Sequence, residues 1–374
     1  MIDRDLIKLI QKRINDKKVI ILLGPRQVGK TTLLKQHFST QNTLWLNGDD
    51  WDTRNQLSNQ TTTWLKQTIA KHDRVIIDEA QRIENIGLTL KIIHDNIPEV
   101  KVIATGSSSF ELANRINEPL TGRKWEFNLW PISTGEMINH HSLLEETRLL
   151  DHRLVYGWYP DVINNPGDEK EILNTLSDSY LYKDILTWEN IKKPQKLELL
   201  VQALAFQIGQ QVSYNELGQI TGLDNQTVEK YISLLERAFI VFRLPSLSRN
   251  LRNELKKSRK VYFYDVGIRN AVMKNWNPVS LRQDVGSLWE NFLIVERLKH
   301  KAYNSIYSND FFWRSNAQQE IDFIEDYDGI LHAYEFKWNE KKKGRFSKSF
   351  TQAYPDHELL TVNKKNYLEF IQRA

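Results

Sequence analysis

The chain has 374 residues, 40% hydrophobic and 26% charged, with a formal net charge of +4. This balance excludes a disordered polyelectrolyte and suits two or three globular domains. Cysteine is absent and no apolar run approaches the roughly 18 residues that span a bilayer, which excludes disulfides and thiolate metal sites and fits a cytoplasmic protein with no membrane partner.

The N-terminal stretch MIDRDLIKLIQKRIND reads as a short amphipathic helix, not a signal peptide. Val19–Leu23, VIILL, then reads as a buried parallel strand. GPRQVGKT follows at once, Gly24 to Thr31, and fits the pattern G-x-x-x-x-G-K-[ST] at every fixed position. Gly24 and Gly29 let the backbone bend so that its N–H groups surround phosphates. Lys30 places a cation on the β and γ oxygens, and Thr31 offers a hydroxyl to Mg2+. Lys30–Phe38 reads as a helix whose N-terminus adds a positive dipole end. The sequence therefore predicts a nucleoside triphosphate held by the loop Gly24, Val28, Gly29, Lys30, Thr31 and Thr32, while Pro25, Arg26 and Gln27 fill the loop interior with no chemistry that the residues themselves supply.

Leu44–Asn47 reads as a second strand, and its trailing Asp49 and Asp50 receive no chemistry. Arg74–Asp78, RVIID, is an apolar strand ending in a carboxylate. Asp78 is placed to orient the metal, and Glu79 to act as base toward the attacking water. The next strand, Val100–Thr105, runs into GSSS, where Ser107 or Thr105 can touch the γ-phosphate or position the water. LTGRKWEFNLWPIS gives a turn and a strand, Lys124–Leu129. Arg123 in that turn is a candidate arginine finger, in cis or across a subunit interface. Strands alternating with helices predict a mostly parallel sheet covered on both faces.

The set GPRQVGKTTLL, VIIDEAQ, IATGSSS and LTGR…PIS, in this order and spacing, resembles the AAA-type P-loop ATPases of bacteria and archaea that carry an uncharacterised nuclease-like C-terminal domain. The resemblance is strong over about the first 140 residues. It implies a Walker A at Gly24–Thr31, a Walker B at Asp78–Glu79, a sensor near Ser107, and a small helical lid after the core. It also implies ATP as the nucleotide; no guanine-reading N-K-x-D is present. The parent group often assembles, so a homo-oligomer is conceivable.

Further on, KLELLVQALAFQIG, VSYNELGQITGL and DNQTVEKYISLLERAFI read as three helices, with Asp224 as an N-cap. IVFRLPS and KVYFYD read as strands joined by the basic loop Asn250–Lys260. Three helices and a hairpin predict a winged helix. Gln226, Thr227 and Lys230 would then lie where base edges are reached, and the basic loop on phosphates. A packing module is the alternative.

In the last third, Gly286–His300 reads as an amphipathic helix carrying Glu290. FFWRSNAQQEIDFIED reads as a strand, Tyr327–Gly329 as a turn, and ILHAYEFKW as the returning strand. Asp322 and Glu335 can hold Mg2+ between them. Lys337, two residues past Glu335, shares its face and can orient water or stabilise a pentavalent phosphate. Glu290 could complete the metal site. The stretch WEN…EIDFIED…YEFKW resembles the PD-(D/E)xK nuclease superfamily, a helix Glu, a strand Asp, then E-x-K on the next strand. Ile321 precedes Asp322 where the name has proline. The histidines show no zinc-binding spacing.

The sequence thus predicts an α/β chain: a P-loop AAA-type core at 1–140, a helical lid at 141–195, a winged helix at 196–265, and a small α/β restriction-endonuclease-like domain at 266–374. The leading expectation is an ATPase that couples nucleotide state to a Mg2+-dependent nuclease-like domain acting on nucleic acid, DNA favoured over RNA. The alternatives are a nucleotide switch that binds a protein partner without cleaving, and an ATP-regulated transcription factor.

Overall fold

The computed structural model describes residues 2–107, 116, 119–180, 194–248, 259–315 and 317–373. The chain forms two compact units, Met1–Ile132 with Arg237–Phe239, and Ser133–Glu236 with Ile240–Ala374. Among the described residues no helix is long and apolar enough to cross a membrane.

The first unit is built on a five-stranded sheet in the order β2-β3-β4-β1-β5. Its strands are β1 (Val19–Leu23), β2 (Thr43–Asn47), β3 (Arg74–Asp78), β4 (Lys101–Gly106) and β5 (Lys124–Asn128), all parallel. Every residue of β1 is buried, as a central strand covered on both faces requires. The helices are α1 (Leu6–Arg13), α2 (Lys30–Phe38), α3 (Trp51–Leu57), α4 (Thr62–Ile69) and α5 (Ile86–Asn96). The order places β3 two strands from β1, with β4 between them, so the carboxyl ends of all three line up along one edge. That edge carries the P-loop, Asp78 and Ser107.

The second unit begins with α6 (Thr134–His140), α7 (Leu143–Tyr156), α8 (Pro160–Asn164) and α9 (Glu169–Tyr180). The sequence reading placed the lid at 141–195; the part of it that is described belongs to this unit, where α7 and α9 pack on α13 (Val266–Val272). Residues 181–193 lie outside the described residues. Next come α10 (Pro194–Phe206), α11 (Tyr214–Thr221) and α12 (Asn225–Arg237), with an antiparallel sheet in the order β6-β8-β7: β6 (Gln211–Val212), β7 (Val241–Pro245) and β8 (Arg259–Phe263). Asp224 caps α12, accepting from the Thr227 amide at 2.9 Å and its hydroxyl at 2.7 Å. Most of the expected basic loop, 250–258, lies outside the described residues.

The C-terminal part of this unit packs α14 (Val285–Asn304) and α16 (Tyr367–Ile371) with a four-stranded sheet, β12-β11-β10-β9, and adds α15 (Lys348–Ala353). The strands are β9 (Asn309–Arg314), β10 (Glu320–Tyr327), β11 (Ile330–Phe336) and β12 (His357–Val362). FFWRSNAQQEIDFIED is therefore two antiparallel strands, not one. The Ser315 amide closes a turn on the Gln319 carbonyl at 2.8 Å, and Gln318 takes a left-handed φ of 62°. The polar run between Arg314 and Glu320 has no apolar face to bury, so it turns.

The sheet is tied to α14 through a buried ion pair. Glu325 on β10 receives Arg297 in two-pronged fashion at 2.8 and 3.0 Å, and also Lys301 at 3.1 Å and the Tyr334 hydroxyl at 3.2 Å. Both side chains of the Arg297–Glu325 pair are about 3% exposed. Removing one partner of such a pair leaves a buried charge with too few contacts. Arg297→Ala is expected to destabilise this unit by about 3 kcal/mol, read as a lowered unfolding midpoint, with ATP binding by the first unit unchanged.

Candidate functional site

The P-loop follows β1 directly. Gly24 lies so close to the Leu129 carbonyl oxygen that an added Cβ would sit 2.3 Å from it. Gly29 adopts φ 97° as the cap of α2. Gly24→Ala would force the loop off its seat, because the obstacle is backbone and cannot swing away. Nucleotide affinity in that variant is expected to fall at least tenfold, as measured by equilibrium binding of a fluorescent ATP analogue. The loop is also held from a side not legible in the sequence. Arg4, 6% exposed, donates to the Val28 carbonyl at 3.0 Å and the Trp130 carbonyl at 2.5 Å.

Lys30 is buried and its ammonium donates to the carbonyls of Gly24 and Pro25, each at 2.8 Å. It is thus folded over the loop whose amides would receive phosphates. The Thr31 hydroxyl donates to Asp78 at 2.7 Å. Thr31 and Asp78, assigned separately to Mg2+, therefore meet. A hydroxyl and a carboxylate are hard oxygen donors of the kind Mg2+ takes.

Glu79 sits in the left-handed region at φ 49° and ψ 43°. A non-glycine residue there costs about 1 kcal/mol or more and persists only when its surroundings hold it. Thr105 supplies part of that hold, accepting from the Glu79 amide at 3.1 Å and donating to Asp78 at 2.5 Å. Gly48 supplies more, since a Cβ there would stand 2.3 Å from the Glu79 carbonyl oxygen. The Glu79 carboxylate accepts from Gln81 at 2.6 Å and from Ser107 at 3.3 Å, and Gln81 also donates to Ser107 at 3.1 Å. The geometry thus separates two residues offered as alternatives. Thr105 fixes the acids, and Ser107 touches Glu79. Gln81 was missed, although DEAQ places it two residues beyond Glu79, inside the 3-10 turn Ala80–Arg82. Asp50 caps α3 through Thr53, and Asp49 pairs with Arg82.

Arg123 departs from expectation. Its carbonyl accepts from Val19, the first residue of β1, and its guanidinium pairs with Asp95 at 2.9 Å. It therefore stands at the amino end of β1, whereas the P-loop leaves the carboxyl end. A parallel strand carries the two ends of five residues more than 10 Å apart at about 3.3 Å each, so Arg123 does not reach the nucleotide site of its own chain.

In the second unit Asp322, Glu335 and Lys337 meet, and Glu290 lies near enough for its charge to act on Lys337. Lys337 lies 2.5 Å from Glu335 and 3.7 Å from Asp322, and Asp322 accepts from the Phe336 amide at 2.7 Å. Glu290, on α14, accepts from Lys260 at 2.9 Å and from the Tyr262 hydroxyl at 2.6 Å. Lys260 also pairs with Glu320 at 2.5 Å. Burial pushes Glu335 up to about 7, with the negative charge of Asp322 adding to it. Burial also pushes Glu290 up to about 7; Lys260 opposes the rise and Asp322 reinforces it. Burial works against the charge of Lys337, but Asp322, Glu335 and Glu290 together outweigh it and raise its pKa. The sequence missed Lys260, Tyr262 and Glu320, which the β8 and β10 registers bring to the same place.

These raised values have a pH consequence. Stability from the protonated carboxyls is fully present below the ordinary glutamate value of 4.5 and is lost as pH rises through about 7. Without divalent ions, the second unit is expected to unfold at lower temperature at pH 8 than at pH 5, and Glu335→Gln should flatten that profile. Divalent-ion affinity should run the other way, rising from pH 6 to 8 as the carboxyls ionise.

Asp322 and Glu335 offer two hard oxygen ligands. Among the described residues no three acidic or histidine side chains converge as a metal site, but Mg2+ keeps several waters and needs only one or two carboxylates.

Three family models match successive stretches of the chain. Residues 16–138 match the family described as AAA domain. The N-terminal unit is of the AAA-type P-loop ATPase kind. Beyond the AAA domain, residues 147–279 and 285–373 match two domains of unknown function, DUF8612 and DUF4143. The second of these carries Glu290, Asp322, Glu335 and Lys337. An uncharacterised protein of Methanocaldococcus jannaschii is 24% identical over 98% of this chain and 84% of its own length. One of Haemophilus influenzae is 25% identical over 87% of this chain and 84% of its own. Among solved structures, the Walker-type ATPase of Pyrococcus abyssi matches with a TM-score of 0.51 at 15% identity, covering 73% of this chain and 96% of that one. This is a likeness of fold, consistent with the five-stranded parallel sheet beside the AAA domain's motifs.

Proposed function

We propose that this chain hydrolyses ATP and that its nucleotide state controls a Mg2+-dependent phosphodiesterase centre in the second unit, acting on nucleic acid and on DNA in preference to RNA. The observation that carries the reading is the meeting of Asp322, Glu335 and Lys337 from two strand ends, with Glu290 on a helix near enough for its charge to act on Lys337.

At the P-loop, Lys30 would leave the carbonyls of Gly24 and Pro25 for the β and γ oxygens. Thr31 and Asp78 would hold Mg2+, which supplies charge neutralisation at the phosphates. Glu79 would take a proton from the attacking water, with Ser107 and Gln81 fixing its carboxylate. An arginine completing this site would come from another subunit; Arg123 in trans remains the candidate for it.

In the second unit, Asp322 and Glu335 would bind a divalent ion, which supplies Lewis acidity toward a phosphodiester. Lys337 would orient the water and stabilise the added charge on phosphorus. The three helices and antiparallel sheet of residues 194–263 support a winged-helix role in holding duplex. Gln226 and Lys230 are exposed in the first turns of α12.

The test is incubation of the full chain with single-stranded, duplex and branched DNA and with RNA, in Mg2+ or Mn2+. Metal-dependent cleavage of a DNA substrate supports the reading. No cleavage of any substrate, with ATP hydrolysis intact, would favour a nucleotide switch that engages a protein partner.

A further inference from the structure

Lys260 is fully buried, and its ammonium lies 2.9 Å from Glu290 and 2.5 Å from Glu320. Tyr262, two residues along the same strand and so on the same face, adds its hydroxyl to the same oxygen of Glu290. The Phe312 ring closes one side of the ammonium at 5.4 Å. A lysine this deep is retained only where carboxylates compensate its lost hydration.

We propose that Lys260 is the second cation of the carboxylate centre: it occupies the place between Glu290 and Glu320 that a second divalent ion would take, so the centre binds one ion, between Asp322 and Glu335. This rests on the phosphodiesterase reading above. Charge favours it. With all four ionised, as metal binding requires, the carboxylates Glu290, Glu320, Asp322 and Glu335 face three cations, Lys260, Lys337 and Arg314, the last 3.5 Å from Glu320. One divalent ion and one phosphodiester anion bring the sum to zero. A second ion would leave two uncompensated positive charges in a buried place. Glu290 then serves as the seat of Lys260 and not as a metal ligand. Because Lys260 is held from β8 and Glu290 from α14, the pair also fixes the antiparallel sheet of residues 211–263 against the centre within the same unit.

The test is Mn2+ titration of the nucleotide-free full chain, counting bound ions by the free-Mn2+ paramagnetic signal. Asp322→Ala serves as the blank for any ion at the P-loop. Wild type is expected to bind one more ion than the blank. Lys260→Met, which keeps the stem and removes the charge, is expected to bind two more and to show spin coupling between them, while Lys260→Arg returns the count to one. Two ions in wild type would overturn the proposal and leave a two-ion phosphodiesterase standing. So would a folded Lys260→Met that still binds one ion with wild-type affinity. No ion beyond the blank in wild type would overturn it together with the metal reading itself. The wild-type count needs no Lys260 variant to fold.

Discussion

Asp322→Ala is expected to lower metal-dependent cleavage on the order of 10^3-fold or more, the several kcal/mol that a positioned divalent ion contributes to phosphoryl chemistry. Two losses combine. The ion keeps only Glu335 as a carboxylate ligand, and Lys337, now 2.5 Å from Glu335 alone, is drawn away from its place between the two acids. The Phe336 amide also loses its acceptor, so the end of β11 is expected to shift. ATP turnover should stay within about twofold, because Lys30, Thr31, Asp78 and Glu79 are left as they are. Asp322→Asn separates charge from shape: it keeps an acceptor for the amide, and cleavage should fall nearly as far. Gel assays of product, run beside phosphate release, read both activities from one sample.

Glu79→Gln is expected to slow ATP hydrolysis by about 10^2–10^4-fold, the range for loss of a positioned general base, while ATP binding persists. The amide keeps the size of the side chain and can still meet Ser107 and Gln81, so the left-handed turn at Glu79 and the Thr105 bridge to Asp78 remain. Single-turnover phosphate release beside equilibrium ATP binding checks it. Hydrolysis at the wild-type rate would remove Glu79 from the base role. Lys30→Ala should differ in kind, losing affinity as well as rate, because its ammonium would contact the phosphates in the bound state.

Much of the first unit was legible because its chemistry is local. Gly24–Thr31 lies between an apolar strand and a helix, and the strand Arg74–Asp78 ends on its carboxylate, so eight consecutive residues and one strand end define the nucleotide edge. The cis half of the Arg123 expectation fails for a related reason. Its neighbours in sequence suggest a turn beside a strand, but parallel pairing of β1 with β5 puts that turn at the amino end of the sheet, and sequence adjacency carries no information about which end. Arg4 and Gly48 were not legible, since one acts across more than a hundred residues on the Trp130 carbonyl and the other by having no side chain against the Glu79 carbonyl.

In the second unit Glu335 and Lys337 were legible from their spacing of two on a strand, and Asp322 from the hairpin. Lys260 and Glu320 were not. Lys260 read as one of a run of basic residues, and nothing local distinguishes a solvated lysine from one driven into a core by antiparallel pairing with Gln211 and Leu244. The break between β9 and β10 was hidden because apolar alternation resumes in phase after the turn.

The measurement that bears most directly on a nucleotide-controlled phosphodiesterase is the rate of DNA cleavage with and without ATP, for wild type and for Lys30→Ala, in the same metal buffer. ATP is expected to change the wild-type rate at least fivefold and to leave the Lys30→Ala rate where it is without nucleotide. Equal wild-type rates with and without ATP would contradict the control of one site by the other, and an ATP response that survives Lys30→Ala would place that control outside the P-loop.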